Sequence, residues 1–173
     1  MSQSLDARVC SWIVIVGLAS LGFAFTLQYG FGVDPCLLCK YQRIPYAVAT
    51  GFGLLGLLLP LGPSKRRTVV AICTVLFFAG ACLALYHLGI EQAWWGGSAG
   101  CTGENLSAPM TLNDISNALS TKPKARCDAV PWTLFGLSLT TLNLIWSALL
   151  TFLGISLIFE RRIWRERRFA GRF

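Results

Sequence analysis

Four long stretches without a charged side chain divide this 173-residue chain and leave few folds open to it. They run over 9–29, 44–61, 69–88 and 134–159. At 1.5 Å per residue, a helix of about 20 residues crosses a hydrocarbon layer of about 30 Å. Charged residues make up 13% of the chain, about half the share usual in a soluble domain, and they crowd between the runs. The pattern predicts one all-α membrane domain, 1–173, built as a polytopic four-helix bundle. For the first run the competing reading is a cleaved signal peptide. That run is longer than a typical apolar signal core, and no A-x-A-like cleavage site follows it.

Four spans place both termini on one side. That side collects Arg8, Lys65 to Arg67 and the six arginines of the tail, ten of the fifteen basic residues, against three acidic ones. The loops on the other side, about 30–43 and 89–133, hold five basic and five acidic residues. Basic excess marks the cytoplasmic side, so both termini are expected there. The net charge of +7 then reflects topology and lipid headgroup contact, and no nucleic-acid partner is expected. Trp94, Trp95 and Trp132 flank the outer ends of the runs and Trp12 and Trp164 the inner ends, as interfacial aromatic belts do.

This topology also sorts the seven cysteines. Cys36 and Cys39 fall in the first outer loop, Cys101 and Cys127 in the second. Cys10, Cys73 and Cys82 fall within runs or at the inner face and read as small buried hydrophobes. The outer four lie where disulfides persist. A Cys101–Cys127 bridge would stabilise by roughly 3 kcal/mol through loop closure. A Cys36–Cys39 bridge closes almost nothing, so its value lies in exchange chemistry, where C-x-x-C pairs carry lowered thiol pKa values. Asp34 and Pro35 suit an N-cap and first helical residue, which puts both thiols in the first turns of a helix, where its dipole favours a thiolate. Arg43 lies four residues after Cys39, on the same helical face, as a permanent cation for that thiolate or a donor to a bound oxidant. Its other reading is a snorkelling interfacial arginine. Pro45 stands where it could interrupt this helix.

Two separated thiol pairs also raise the question of zinc, but C-x₂-C with a widely spaced couple is not a zinc-ribbon spacing, and no metal is expected. No βαβ pattern surrounds the motif, which sets aside a thioredoxin-like fold. His87, the one histidine, ends the third run with Glu91 one turn on. It suits proton transfer or a hydrogen bond to a carbonyl oxygen of an oxidant, or an interfacial place with no role. In the second outer loop Leu112, Ile115 and Leu119 recur at helical spacing. They predict a short amphipathic helix, lying on the membrane or packed on its own loop. No run contains a charged residue of the kind that marks an ion path.

As a set these features resemble the DsbB family of disulfide-generating membrane oxidases, including its DsbI-type members. The likeness is carried by four spans and by Pro35-Cys36-Leu37-Leu38-Cys39 with Gln42-Arg43. Tyr86-His87, Cys101 with Cys127, and the segment from Pro131 to Ser138 complete it. The resemblance implies a bacterial inner membrane protein with its cysteine loops in the periplasm and a quinone, ubiquinone or menaquinone, as cofactor. It implies a soluble periplasmic DsbA-like thiol oxidase as partner, which attacks Cys101. Cys127 resolves and exchanges with Cys36, and Cys39 faces the quinone, positioned by Arg43 with His87 nearby. The glycine-rich approach to Cys101, residues 96–100, departs from the family pattern. Two alternatives stand beside this one. One is a non-enzymatic scaffold or transporter with structural disulfides. The other is a vitamin-K-epoxide-reductase-like enzyme, whose cysteines follow a different order along the chain.

Overall fold

A computed structural model describes residues 5–98, 101, 125–130 and 132–164. It is mostly helical. Helix α1 spans Leu5–Phe25 and continues as a π-helical turn over Thr26–Gly30. Helices α2 (Leu37–Leu58), α3 (Pro63–Glu91) and α4 (Leu139–Phe159) follow. The expected four-helix architecture is thus present, and α1 with its π turn, α3 and α4 are long and apolar enough to cross a membrane. Helix α2 is diluted by Lys40, Gln42 and Arg43 in its first two turns. The proposed surface helix around Leu112 to Leu119 and the arginines from Arg165 onward lie outside the described residues.

The helix starts differ from the sequence expectation in instructive ways. Helix α2 begins at Leu37, not at Pro35, because Cys36 itself is the N-cap. Its extended backbone (φ −66°, ψ 175°) lets its sulfur accept the Cys39 amide. Pro45 does not interrupt α2, which runs through it to Leu58. The buried proline instead packs where α3 presents Gly80. The fourth apolar run does not start as helix. Thr133–Leu134 and Leu137–Ser138 pair as a two-residue hairpin turned by Phe135 and Gly136, both at positive φ, as a primed turn requires. Ser138 then caps α4, its hydroxyl accepting from the Thr141 amide at 3.2 Å.

Packing is sequential: α1 lies on α2, α2 on α3 and α3 on α4. Small residues allow the close approach. A Cβ on Gly17 would collide with Thr50 of α2, and one on Gly154 with Thr74 of α3. The α1–α4 seam is looser and is bridged by Trp146 Nε1 donating to Ser20 Oγ at 3.0 Å. At one end of the bundle Arg66 meets buried Asp6 at 2.7 Å and donates to Gly56 O at 3.0 Å. Cys10 and Cys73 are buried there and in mid-bundle, as expected of small apolar residues, while Cys82 is exposed. All of the outer-loop cysteines lie at the opposite end.

Candidate functional site

The capping turn that opens α2 also sets the first thiol pair. Cys36 at the N-cap and Cys39 one turn later bring their sulfurs to 2.8 Å. The other pair packs onto the same spot. Cys101 and Cys127 are buried in one cluster with Cys36, Leu38 and Ile90, against which Cys39 packs. The Cys127 amide donates to Cys101 O at 2.8 Å. Four thiols predicted from two distant loops therefore meet at one end of the bundle.

His87 joins them from α3. Its Nε2 lies 3.5 Å from Cys36 Sγ, and Cys36, His87 and Cys127 keep their ligand atoms within 4.8 Å of one another. The ring is fixed from behind by Gln42, which the resemblance included without a role, and by Tyr46, Thr140, Asn143 and Ser147, which the sequence reading did not single out. Tyr46 OH donates to Asn143 Oδ1 at 2.8 Å and also meets Ser147 Oγ at 2.7 Å. Asn143 Nδ2 donates to Gln42 Oε1 at 2.8 Å, which turns the Gln42 amide nitrogen toward His87 Nδ1 at 3.1 Å. Thr140 Oγ1 stands 3.3 Å from the same nitrogen. With Nδ1 accepting, Nε2–H faces the Cys36 sulfur. The chain Ser147–Tyr46–Asn143–Gln42–His87–Cys36 joins α4, α2 and α3 inside the bundle.

Arg43 is less free than sequence alone suggests. Its guanidinium donates to Gln28 Oε1 in the π turn at 2.6 Å and lies 5.1 Å over the Phe25 ring. It stays on the Cys39 side of α2, as the helical spacing predicted.

The two thiols of the first pair are pushed in opposite directions. The hydrogen bond with Cys36 is the main cause that lowers the Cys39 pKa below the ordinary thiol value, and attraction by Arg43 is the weakest contributor. The same bond, with burial second, pushes Cys36 up to about 12, against a hydrogen bond from His87. Burial, reinforced by Cys101 and Cys36, also raises Cys127. Cys39 is the sulfur most readily ionised of the three.

Beside the pair opens a cavity of about 570 Å³, a size typical of small-molecule sites. Cys36, Cys39, Gln42, Arg43 and His87 give its polar wall, and Phe23, Leu27, Leu142 and Trp146 much of its apolar one. Cys127 does not line it.

Paired thiols packed into the end of a helical bundle, three of whose helices are long and apolar enough to cross a membrane, define a membrane protein of disulfide chemistry. Comparison with known families makes the assignment specific: the model described as disulfide bond formation protein DsbB matches residues 6–157, and the chain belongs to that family. It is 30% identical over 152 residues to disulfide bond formation protein B of Stutzerimonas stutzeri, covering 84% of this chain and 88% of that one. With the protein of the same name in Pasteurella multocida it shares 26% over 167 residues, 94% of this chain and 92% of the other. An uncharacterized Rickettsia prowazekii protein, RP370, is 25% identical over 151 residues, 86% of each.

Proposed function

We propose that the chain is a protein-dithiol:quinone oxidoreductase of a bacterial inner membrane, with its cysteine loops in the periplasm. It reoxidises a soluble DsbA-like thiol oxidase and delivers the electrons to a membrane quinone. One observation carries the reading: Cys36 and Cys39 share a cavity wall with Arg43 and His87, while Cys127 Sγ stands within 4.8 Å of Cys36 Sγ. The excess of basic residues at the Asp6–Arg66 end supports the orientation.

Exchange proceeds by thiolate attack through a mixed disulfide. A partner thiolate attacks Cys101 of the oxidised second pair, breaking its bond to Cys127. The partner's second thiol then displaces Cys101, leaving the partner oxidised and this pair reduced. Cys127 next attacks Cys36 of the oxidised first pair and releases Cys39 as a thiolate. Cys101 displaces Cys36 from Cys127, which restores the second disulfide. Two electrons have moved to Cys36 and Cys39, balanced by the two protons that the partner's thiols gave up.

The cavity fits a flat, apolar ring with polar carbonyl edges. A bound quinone would supply a two-electron, two-proton acceptor for the Cys36–Cys39 dithiol. On the protein side, Cys39 is held ionisable beside the cavity by the Cys36 hydrogen bond. Arg43, steadied by Gln28 and Phe25, offers donors that need no titration. His87 stands ready to exchange a proton with Cys36 through Nε2.

The test is oxidation of a reduced DsbA-like protein by the purified chain with added quinone, followed by quinone absorbance. Cys39→Ser should abolish turnover, and Arg43→Ala should raise the KM for quinone more than it lowers kcat. Retained turnover in Cys39→Ser would overturn the reading.

A further inference from the structure

We propose that the reduced chain holds a second kind of ligand, a thiophilic divalent cation such as zinc(II), between Cys36 Sγ, Cys127 Sγ and His87 Nε2. One ligand atom from each of the three residues lies within 4.8 Å of the other two, and all three residues are buried. Zinc binds sulfur at about 2.3 Å and imidazole nitrogen at about 2.0–2.1 Å, so tetrahedral angles put S and N about 3.6 Å apart. The observed Cys36 Sγ to His87 Nε2 separation is 3.5 Å. One edge of the tetrahedron is already at length, and Cys127 stands within 4.8 Å of it. The three ligands come from the cap of α2, the end of α3 and the second loop. No linear spacing announces them.

The surroundings meet the other needs of such a site. A metal-bound histidine passes its second ring N–H to an acceptor. Thr140 Oγ1, 3.3 Å from Nδ1, can take that hydrogen. The Gln42 amide can also turn over to offer its oxygen. The chain behind it survives the reversal, because Asn143, Tyr46 and Ser147 each both donate and accept. Cys36 and His87 line the cavity, which gives the ion its entry and leaves the fourth position to a water.

Binding displaces the protons of two thiols, because a metal takes the thiolate. It therefore requires the reduced state: a sulfur tied in a disulfide has no thiolate to give. A bound ion would hold one sulfur from each pair and stop electrons passing between them. That consequence rests on the relay proposed above; the binding does not.

The full chain in detergent, reduced with a phosphine, would be titrated with cobalt(II) and then zinc(II). One equivalent of cobalt should produce sulfur-to-metal charge-transfer absorption and the visible bands of a four-coordinate ion, and one equivalent of zinc should remove them. His87→Ala and Cys127→Ser should each lose the spectrum, while Cys82→Ser, at an exposed position on α3, should keep it. Thr140→Val, which preserves the shape of the side chain, should weaken affinity about 10–100-fold. The disulfide form should take up no cobalt. No uptake by the reduced chain, an unchanged spectrum in His87→Ala, or equal uptake by the oxidised chain overturns the site. Metal uptake in a chain that cannot reduce quinone would instead overturn the relay alone.

Discussion

At Cys39 the decisive neighbour is Cys36, not the arginine one turn on. The pKa of Cys39 is lowered first by the Cys36 hydrogen bond and last by Arg43, while the same bond drives Cys36 up to about 12. A lowered pKa means more thiolate at neutral pH, and a raised one means less. In the reduced chain, iodoacetamide should therefore modify Cys39 with a pH midpoint below that of an ordinary thiol, and Cys36 should stay protonated through the same range. Cys36→Ala should move the Cys39 midpoint upward by more than Arg43→Ala does. Mass spectrometry of the alkylated peptides across pH measures both, and equal midpoints for the two thiols would refute the assignment. The thiols, Arg43 and His87 were legible in the sequence because each is chemically unusual where it stands. Gln42 entered only through the family resemblance, with no role of its own, and Tyr46, Thr140, Asn143 and Ser147 were not legible. They look like isolated polar residues in apolar runs, and only the helix packing shows that they form one chain. The available signal was that a buried polar side chain in a membrane must find a partner.

At the scale of the elements, glycine sets how closely helices approach. A methyl group on Gly17 would strike Thr50, whose hydroxyl donates to Tyr46 O at 2.7 Å. Gly22, one and a half turns on, has open space around it. Gly17→Ala should destabilise the protein by about 1–3 kcal/mol, as overpacking does, and Gly22→Ala should be nearly neutral; thermal unfolding in detergent compares them. Equal effects would mean that α1 does not pack on α2 through this contact. Element identity was readable from the apolar runs, but the ends were not. Cys36 caps α2 because its sulfur can reach the Cys39 amide, a role no cap preference assigns to cysteine. The Phe135–Gly136 turn takes five residues from the start of the fourth run, since an apolar stretch looks alike as hairpin or helix.

For the whole molecule, the two ends differ in kind. One carries the Asp6–Arg66 pair and the basic cluster beside it, the other the thiols and the cavity. If the thiol end faces outward, Gln92→Cys should react with a membrane-impermeant maleimide in intact cells, and Ser64→Cys only after lysis. Both positions are exposed; the opposite labelling pattern would invert the topology. The seam between α1 and α4 has a consequence of its own. Ala19, Ser20, Phe23 and Trp146 belong to the cavity wall, and Trp146 reaches across to Ser20. An acceptor dissolved among the lipid tails would enter sideways, through a door whose latch is one indole hydrogen bond. Trp146→Ala should then speed the departure of a bound quinone analogue, read as a faster off-rate with no change in thiol chemistry. If the proposed function holds, the lipid phase would load the protein from its flank and a protein partner would approach from its end, so the two kinds of traffic would not share a path.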